Sequence, residues 1–228
     1  MHTGHRERLR KKFNTLPSAL EDHEILEALL FFSVPRANTN EVAHALIKRF
    51  SSLNGVLDAD INQLQQVDGV GPSSALLIKE VSEIVRRYWV HQTEEKKSIL
   101  RSHEALGEYL KSLFIGINVE VSYILLFDPS KNLIDTFTLS NGNNNSAIIP
   151  MHKIAQLVTN HNTAYVILAH NHPGGKAIPS GEDIAVTRVV KNFLAPLQIQ
   201  LIDHFIVAGD HCVPILNSDK AHLYSPEE

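Results

Sequence analysis

The chain has 228 residues, 43% of them hydrophobic and 20% charged, and its 21 basic and 25 acidic side chains leave a net charge of −4. Those proportions exclude a disordered, collagen-like or low-complexity chain, and also the chain-wide basic surface usual in nucleic-acid binders. The single cysteine, Cys212, excludes a disulfide framework and a structural zinc site built on several thiolates.

No apolar run approaches the ~20 residues that span a bilayer. The basic start MHTGHRERLRKKF is not followed by the apolar stretch of a secretory signal, so the expected setting is the cytoplasm, with no membrane partner. Residues 1–100 balance acid and base, and the excess of acid lies in residues 101–228. Within the balanced part, Arg6, Arg8, Arg10, Lys11 and Lys12 crowd together against one acid, Glu7. Such a run can meet phosphate. With Leu9 and Phe13 spaced i, i+4, it also reads as the solvated face of a helix that buries that pair.

Residues 1–92 read as an all-α region. Asp22 is expected to cap a helix carrying Ile25, Leu26, Leu29 and Leu30, which stops before Pro35. Thr39 caps the next, with Val42, Ala43, Leu46, Ile47 and Phe50 at helical spacing, and residues 51–55 break it. A third helix is expected over 73–88, with Ala75, Ile78, Val81 and Val85 inward. The polar, unpatterned residues 91–98 read as a linker, which places the second domain at 99–228.

Beyond the linker the pattern changes to α/β. Ser102 caps a helix carrying Ala105, Leu106, Tyr109, Leu110 and Leu113. Strands are expected over 119–127 and 133–139 around a turn at Asp128-Pro129-Ser130. An Asn-rich loop at 143–145 and a helix over 151–159 follow. Residues 163–169 form a continuous apolar run, as in a strand buried on both faces. A helix over 181–194 and strands near 199–207 and 211–216 complete a mixed sheet with packed helices.

Two motifs carry chemistry. The first, over about 61–88, places Gly69-Val70-Gly71 between two helices, with Ala75 small enough to let them close. Glycines there allow a tight turn, and uncovered N–H groups at a helix start attract anions. The arrangement resembles a helix-hairpin-helix that holds DNA phosphates without reading sequence, with Gly69, Val70, Gly71 and Lys79 as candidate contacts. Such hairpins also serve as packing elements, and Asp68 and Glu80 dilute the attraction to phosphate.

The second motif leaves the buried strand as His170-Asn171-His172-Pro173-Gly174-Gly175 and continues to Ser180 and Asp183. Two His at i, i+2 at a strand end point the same way, so both imidazoles can reach one ion. The Pro-Gly-Gly turn swings the chain back, so that Asp183 in the first turn of the next helix can supply a third ligand. Zinc accepts two imidazoles and a carboxylate and keeps a fourth place open for water. The competing reading is structural: the His pair closes a sheet end, and Ser180-x-x-Asp183 is a capping box.

The joint pattern His-x-His, seven residues, Ser-x-x-Asp resembles the signature of JAB1/MPN-type (JAMM) metalloproteases. The chain as a whole resembles the bacterial RadC family (UPF0758), long associated with DNA repair. The likeness runs from Gly4-His5-Arg6-Glu7-Arg8-Leu9-Arg10 through Leu26-Glu27-Ala28-Leu29-Leu30, Pro35-Arg36 and Gly69-Val70-Gly71 to Ala169-His170-Asn171-His172-Pro173 and Asp203-His204. It implies a helical N-terminal region and a C-terminal domain of cytidine-deaminase-like topology holding zinc through His170, His172 and Asp183. It further implies that Glu120 moves protons to and from water and leaving amine, and that Ser180 donates to the oxyanion. Taken alone, Glu120 reads as an ordinary residue at a strand start.

The chain departs from the family at Pro173-Gly174-Gly175-Lys176, where a base stands in place of an acid, and at Pro150-Met151-His152, which replaces Pro-Arg-Glu. His152 and the pair Asp203-His204 read as structural.

Three function classes follow: a zinc-dependent peptidase or isopeptidase, a DNA-associated scaffold without catalysis, and a metal-dependent nuclease. A zinc nucleobase deaminase is excluded, since it needs a His-x-Glu and a Pro-Cys-x-x-Cys.

Overall fold

The computed structural model describes residues 3–34, 38–94, 99–141 and 150–219. The Asn-rich segment 143–145, linker residues 95–98 and the Pro35-Arg36 pair lie outside them. The chain divides into two compact units, Met1–Val85 and Arg86–Glu228.

The first unit is helical, as expected: α1 (Thr3–Thr15), α2 (Asp22–Leu30), α3 (Thr39–Phe50), α4 (Leu53–Asp58), α5 (Ile61–Gln65) and the start of α6 (Pro72–Glu94). Leu26, Leu30, Leu46, Val56, Leu64 and Ile78 are fully buried and form its core. Several expectations shift. The cap of α2 is Glu21, which forms a capping box with Glu24, and the cap of α3 is Asn38. Residues 51–55 do break α3, through Ser51 at φ +70, but Ser52 and Asp60 then cap the short helices α4 and α5. Leu9 is buried while Phe13 stays 45% exposed.

The largest difference lies in α6. It continues to Glu94 through residues expected to begin the linker, and the division between the units falls inside it. No Gly or Pro interrupts residues 73–94, so nothing in the chain stops the helix at Tyr88.

Between α5 and α6 the turn is packed rather than open. Val70 is buried, and its N–H donates to the Val67 carbonyl. Gly69 sits at φ +86, where a Cβ would stand 2.6 Å from Val42 Cγ2. Lys79 is half-buried and donates to the carbonyls of Leu57 and Ala59 at 2.9 and 3.0 Å. Burial lowers its pKa, against the opposing pull of Asp58 and Asp60.

The second unit holds α7 (His103–Ser112), β1 (Val121–Phe127), β2 (Leu133–Asn141), α8 (Met151–Asn160), β3 (Tyr165–Asn171), α9 (Gly181–Leu194), β4 (Gln200–Ala208) and β5 (His211–Pro214). Among the described residues the strands form one mixed sheet in the order β2-β1-β3-β4-β5, in which only β3 and β4 run parallel. Strand alternation divides the core in two. Leu125, Phe127, Ile167, Ala169 and Phe205 face α7, while Ile124, Leu126, Val166 and Leu168 face Ile154 and Val158 of α8 and Val190 and Leu194 of α9. Among the described residues, no helix is long and apolar enough to cross a membrane.

Gly69 and Gly71 differ in what they tolerate. Gly69→Ala combines a left-handed backbone with a clash against buried Val42 and is expected to lower stability by about 2–3 kcal/mol in denaturant unfolding. Gly71 has nothing within 4 Å of an added Cβ, so Gly71→Ala is expected to stay within about 0.5 kcal/mol of the parent.

Candidate metal centre

β3 is bonded along both edges, to β1 and to β4, and it ends at the site. Ser122 of β1 stands opposite His170, and Ile206 of β4 pairs with it from the other side. The ladder runs one step past the strand, where the His172 N–H donates to the Val207 carbonyl at 2.9 Å. Both imidazoles therefore emerge on one face. Their Nε2 atoms lie 2.9 Å apart, with ring centroids separated by 4.8 Å.

The chain then turns back. The Gly175 N–H donates to the His172 carbonyl, closing a turn with Pro173 second and Gly174 third at φ +66, a pairing that suits a tight turn. Ser180 caps α9, and both bonds of the capping box are made: Asp183 N–H to Ser180 Oγ at 3.1 Å, and Ser180 N–H to Asp183 Oδ2 at 2.7 Å. The box leaves Asp183 Oδ1 facing His170 Nε2 at 3.2 Å, while Oδ2 lies 3.7 Å from His172 Nε2. The capping and ligand readings of this motif are thus compatible, since one carboxylate serves both.

Donor atoms of His170, His172 and Asp183 lie within 4.8 Å of one another. Burial pushes the His170 pKa down to about 4, against the attraction of Asp183. Burial works against the Asp183 carboxylate, but the bonds from Ser180 and the two imidazoles outweigh it and hold its pKa below the usual range. At neutral pH the cluster therefore presents an uncharged buried imidazole and an ionised carboxylate, a set that fits a divalent cation with N and O preferences.

Glu120 immediately precedes β1 and is half-buried. Extending the β1–β3 register by two residues sets it opposite His172. Its backbone is held by a residue that sequence reasoning passed over. Asn171, 4% exposed between the two histidines, accepts from the Val121 N–H at 2.7 Å and donates to the Val119 carbonyl at 3.0 Å, straddling Glu120. His204 was expected to be structural, yet its Nε2 lies 2.9 Å from His170 Nδ1, and its Nδ1 lies 2.7 Å from Thr187 Oγ1. Burial pushes its pKa down to about 3. Asp203 does have a structural place, accepting from the N–H groups of His204, Leu216 and Asn217 and from the Asn217 amide. His152 is exposed at the start of α8.

Asn171→Ala removes two buried backbone clamps and is expected to cost about 2–3 kcal/mol in urea unfolding, because the Val121 N–H loses its partner.

Residues 100–220 match the family model described as a RadC-like JAB domain. A UPF0758 protein of Burkholderia thailandensis is 33% identical over 195 residues, covering 85% of this chain and 74% of the relative. Another, from Fusobacterium nucleatum, is 31% identical over 211 residues, covering 90% and 91%. With the family model spanning the sheet and the His-His-Asp cluster, and the relatives extending the likeness into the helical unit, the chain belongs to the RadC-like JAB domain family, in the group named UPF0758.

Proposed function

We propose that this protein is a zinc-dependent hydrolase of amide bonds, of the peptidase or isopeptidase type. The reading rests on one observation: the donor atoms of His170, His172 and Asp183 converge where β3 meets the start of α9. His170, His172 and Asp183 would hold the ion, which when bound acidifies a water and polarises the substrate carbonyl. Glu120 takes the proton of the attacking water and passes it to the leaving amine. The Ser180 hydroxyl accepts from the Asp183 N–H and keeps its own proton for the oxygen on which negative charge develops. Asn171 holds the backbone on both sides of Glu120, so the proton carrier and the two ion-holding histidines are fixed to the same strand end.

The same reading takes the sheet as cytidine-deaminase-like in topology and the cytoplasm as the setting. It takes the α5–α6 turn as a helix-hairpin-helix that touches DNA through Gly69 and Gly71, linking the protein to DNA repair. Lys79 contributes little to that contact, because its ammonium is engaged by two carbonyls.

Purified protein is expected to hold about one zinc per chain by elemental analysis, and a His170→Ala/His172→Ala variant none. Absence of zinc from both, after zinc is supplied, would sink the hydrolase. Asp183→Asn is expected to lower zinc occupancy in a folded protein; unchanged occupancy removes it from the ligand set. Glu120→Gln is expected to keep the zinc but lose about 100-fold or more in kcat on any amide substrate the parent cleaves. Retained turnover would refute its role as proton carrier.

A further inference from the structure

We propose that Thr187 and His204 are positioning residues of this site: they hold the His170 ring in the tautomer that carries its proton on Nδ1 and leaves Nε2 as a bare lone pair. The inference deepens the metal-site reading above and rests on it.

The protons can be placed one after another, starting from a carbonyl. Thr187 Oγ1 lies 2.6 Å from the Asp183 carbonyl oxygen and 2.7 Å from His204 Nδ1. A carbonyl only accepts, so the single hydroxyl proton goes to Asp183. None is left for His204, whose Nδ1 must therefore be the donor to Thr187. The His204 ring is 2% exposed and its two ring partners are a hydroxyl and an imidazole, so it carries one proton. Its Nε2 is then an acceptor. The group facing it at 2.9 Å, His170 Nδ1, must donate.

In the neutral ring, the form that can ligate an ion, that one proton is spent on His204. Nε2 is then bare, and it faces His172 Nε2 at 2.9 Å and Asp183 Oδ1 at 3.2 Å. The neutral His172 ring takes the same tautomer by a shorter route, because its Nδ1 lies 3.1 Å from the Lys176 carbonyl, which can only accept. Two bare nitrogens and a carboxylate oxygen then converge with no hydrogen bond among them, an arrangement that repels unless a cation sits between them. The relay also closes on itself. Asp183 anchors one end with its carbonyl and faces the other with its carboxylate.

Burial makes the arrangement persist. Thr187 is 1% exposed and His170 4%, so water does not compete for the intervening bonds. A ring proton donated away from the ion is how ligand histidines are oriented in general. What this structure assigns is the pair of residues that does so here, on α9 and β4.

Thr187→Val removes the hydroxyl at nearly constant shape, and Thr187→Ser keeps it. Long-range 15N–1H correlation on metal-free protein reads the His170 tautomer, and chelator competition reads the zinc dissociation constant. The parent and Thr187→Ser are expected to show the proton on Nδ1. Thr187→Val is expected to shift the population toward the Nε2 proton and to bind zinc about 10–100-fold more weakly. A proton on Nε2 in the parent overturns the relay, as does a Thr187→Val variant matching the parent in both readouts. A parent that binds no zinc overturns the metal reading instead, and the tautomer signal still decides the relay.

Discussion

β3 is hydrogen-bonded along both edges, antiparallel to β1 and parallel to β4, and the positions of His170, His172, Glu120 and His204 follow from that double pairing. The interior of the strand is apolar on both faces, with Val166 and Leu168 toward α8 and α9 and Ile167 and Ala169 toward α7. It is therefore held by packing along its length, and its end is a rigid point from which His170 and His172 project. The antiparallel neighbour brings Glu120 to that point from one side, and the parallel neighbour brings His204 from the other. Neither of these residues is close to the histidine pair in the chain, and only the sheet makes them neighbours.

α9 supplies the opposing charge. Asp183 lies in its first turn, where backbone N–H groups and the helix dipole favour an anion, and Ser180 ties one carboxylate oxygen to the helix start. A carboxylate held in this way cannot swing out into solvent, although it is only partly buried. One turn further along the same helix, Thr187 faces His204. The helix therefore acts on the histidines twice: directly through a carboxylate and indirectly through a hydroxyl.

In the first unit the polar groups are instead spent on the fold. Glu27 is 1% exposed and accepts from Asn40 at 2.9 Å, with His5 at 3.0 Å, so it holds α1 and α3 against α2. Arg6 donates to the Val34 carbonyl and lies 4.7 Å from the centre of the Phe31 ring. Bases that stand out in the sequence as a run are here partly engaged in packing. A phosphate would compete with those contacts rather than meet uncommitted charge.

The difference between what could be read from the chain and what could not follows from how far apart the interacting residues lie. His170, His172, Ser180 and Asp183 fall within a strand end, one turn and one helix start, and each of those has a local pattern: an apolar run, Pro-Gly-Gly, and Ser-x-x-Asp. Lys79 is legible only as a base near a glycine turn, because the carbonyls it serves belong to the last turn of α4 and its cap Ala59, and a helix of six residues is too short to leave a periodic signal. The apolar pattern marks α6 only as far as Tyr88, because the polar residues beyond it resemble a linker, although the absence of Gly and Pro lets the helix continue to Glu94. His204 is the sharpest case. Next to Asp203 it resembles any buried polar pair, and nothing in its own neighbourhood marks it as different. Its partner lies 34 residues away on a parallel strand, and the register of that pairing is set by the irregularity between Val166 and Ile167. Without that irregularity the two strands would pair one residue out of step, and alternation would carry the ring to the α7 face, away from His170.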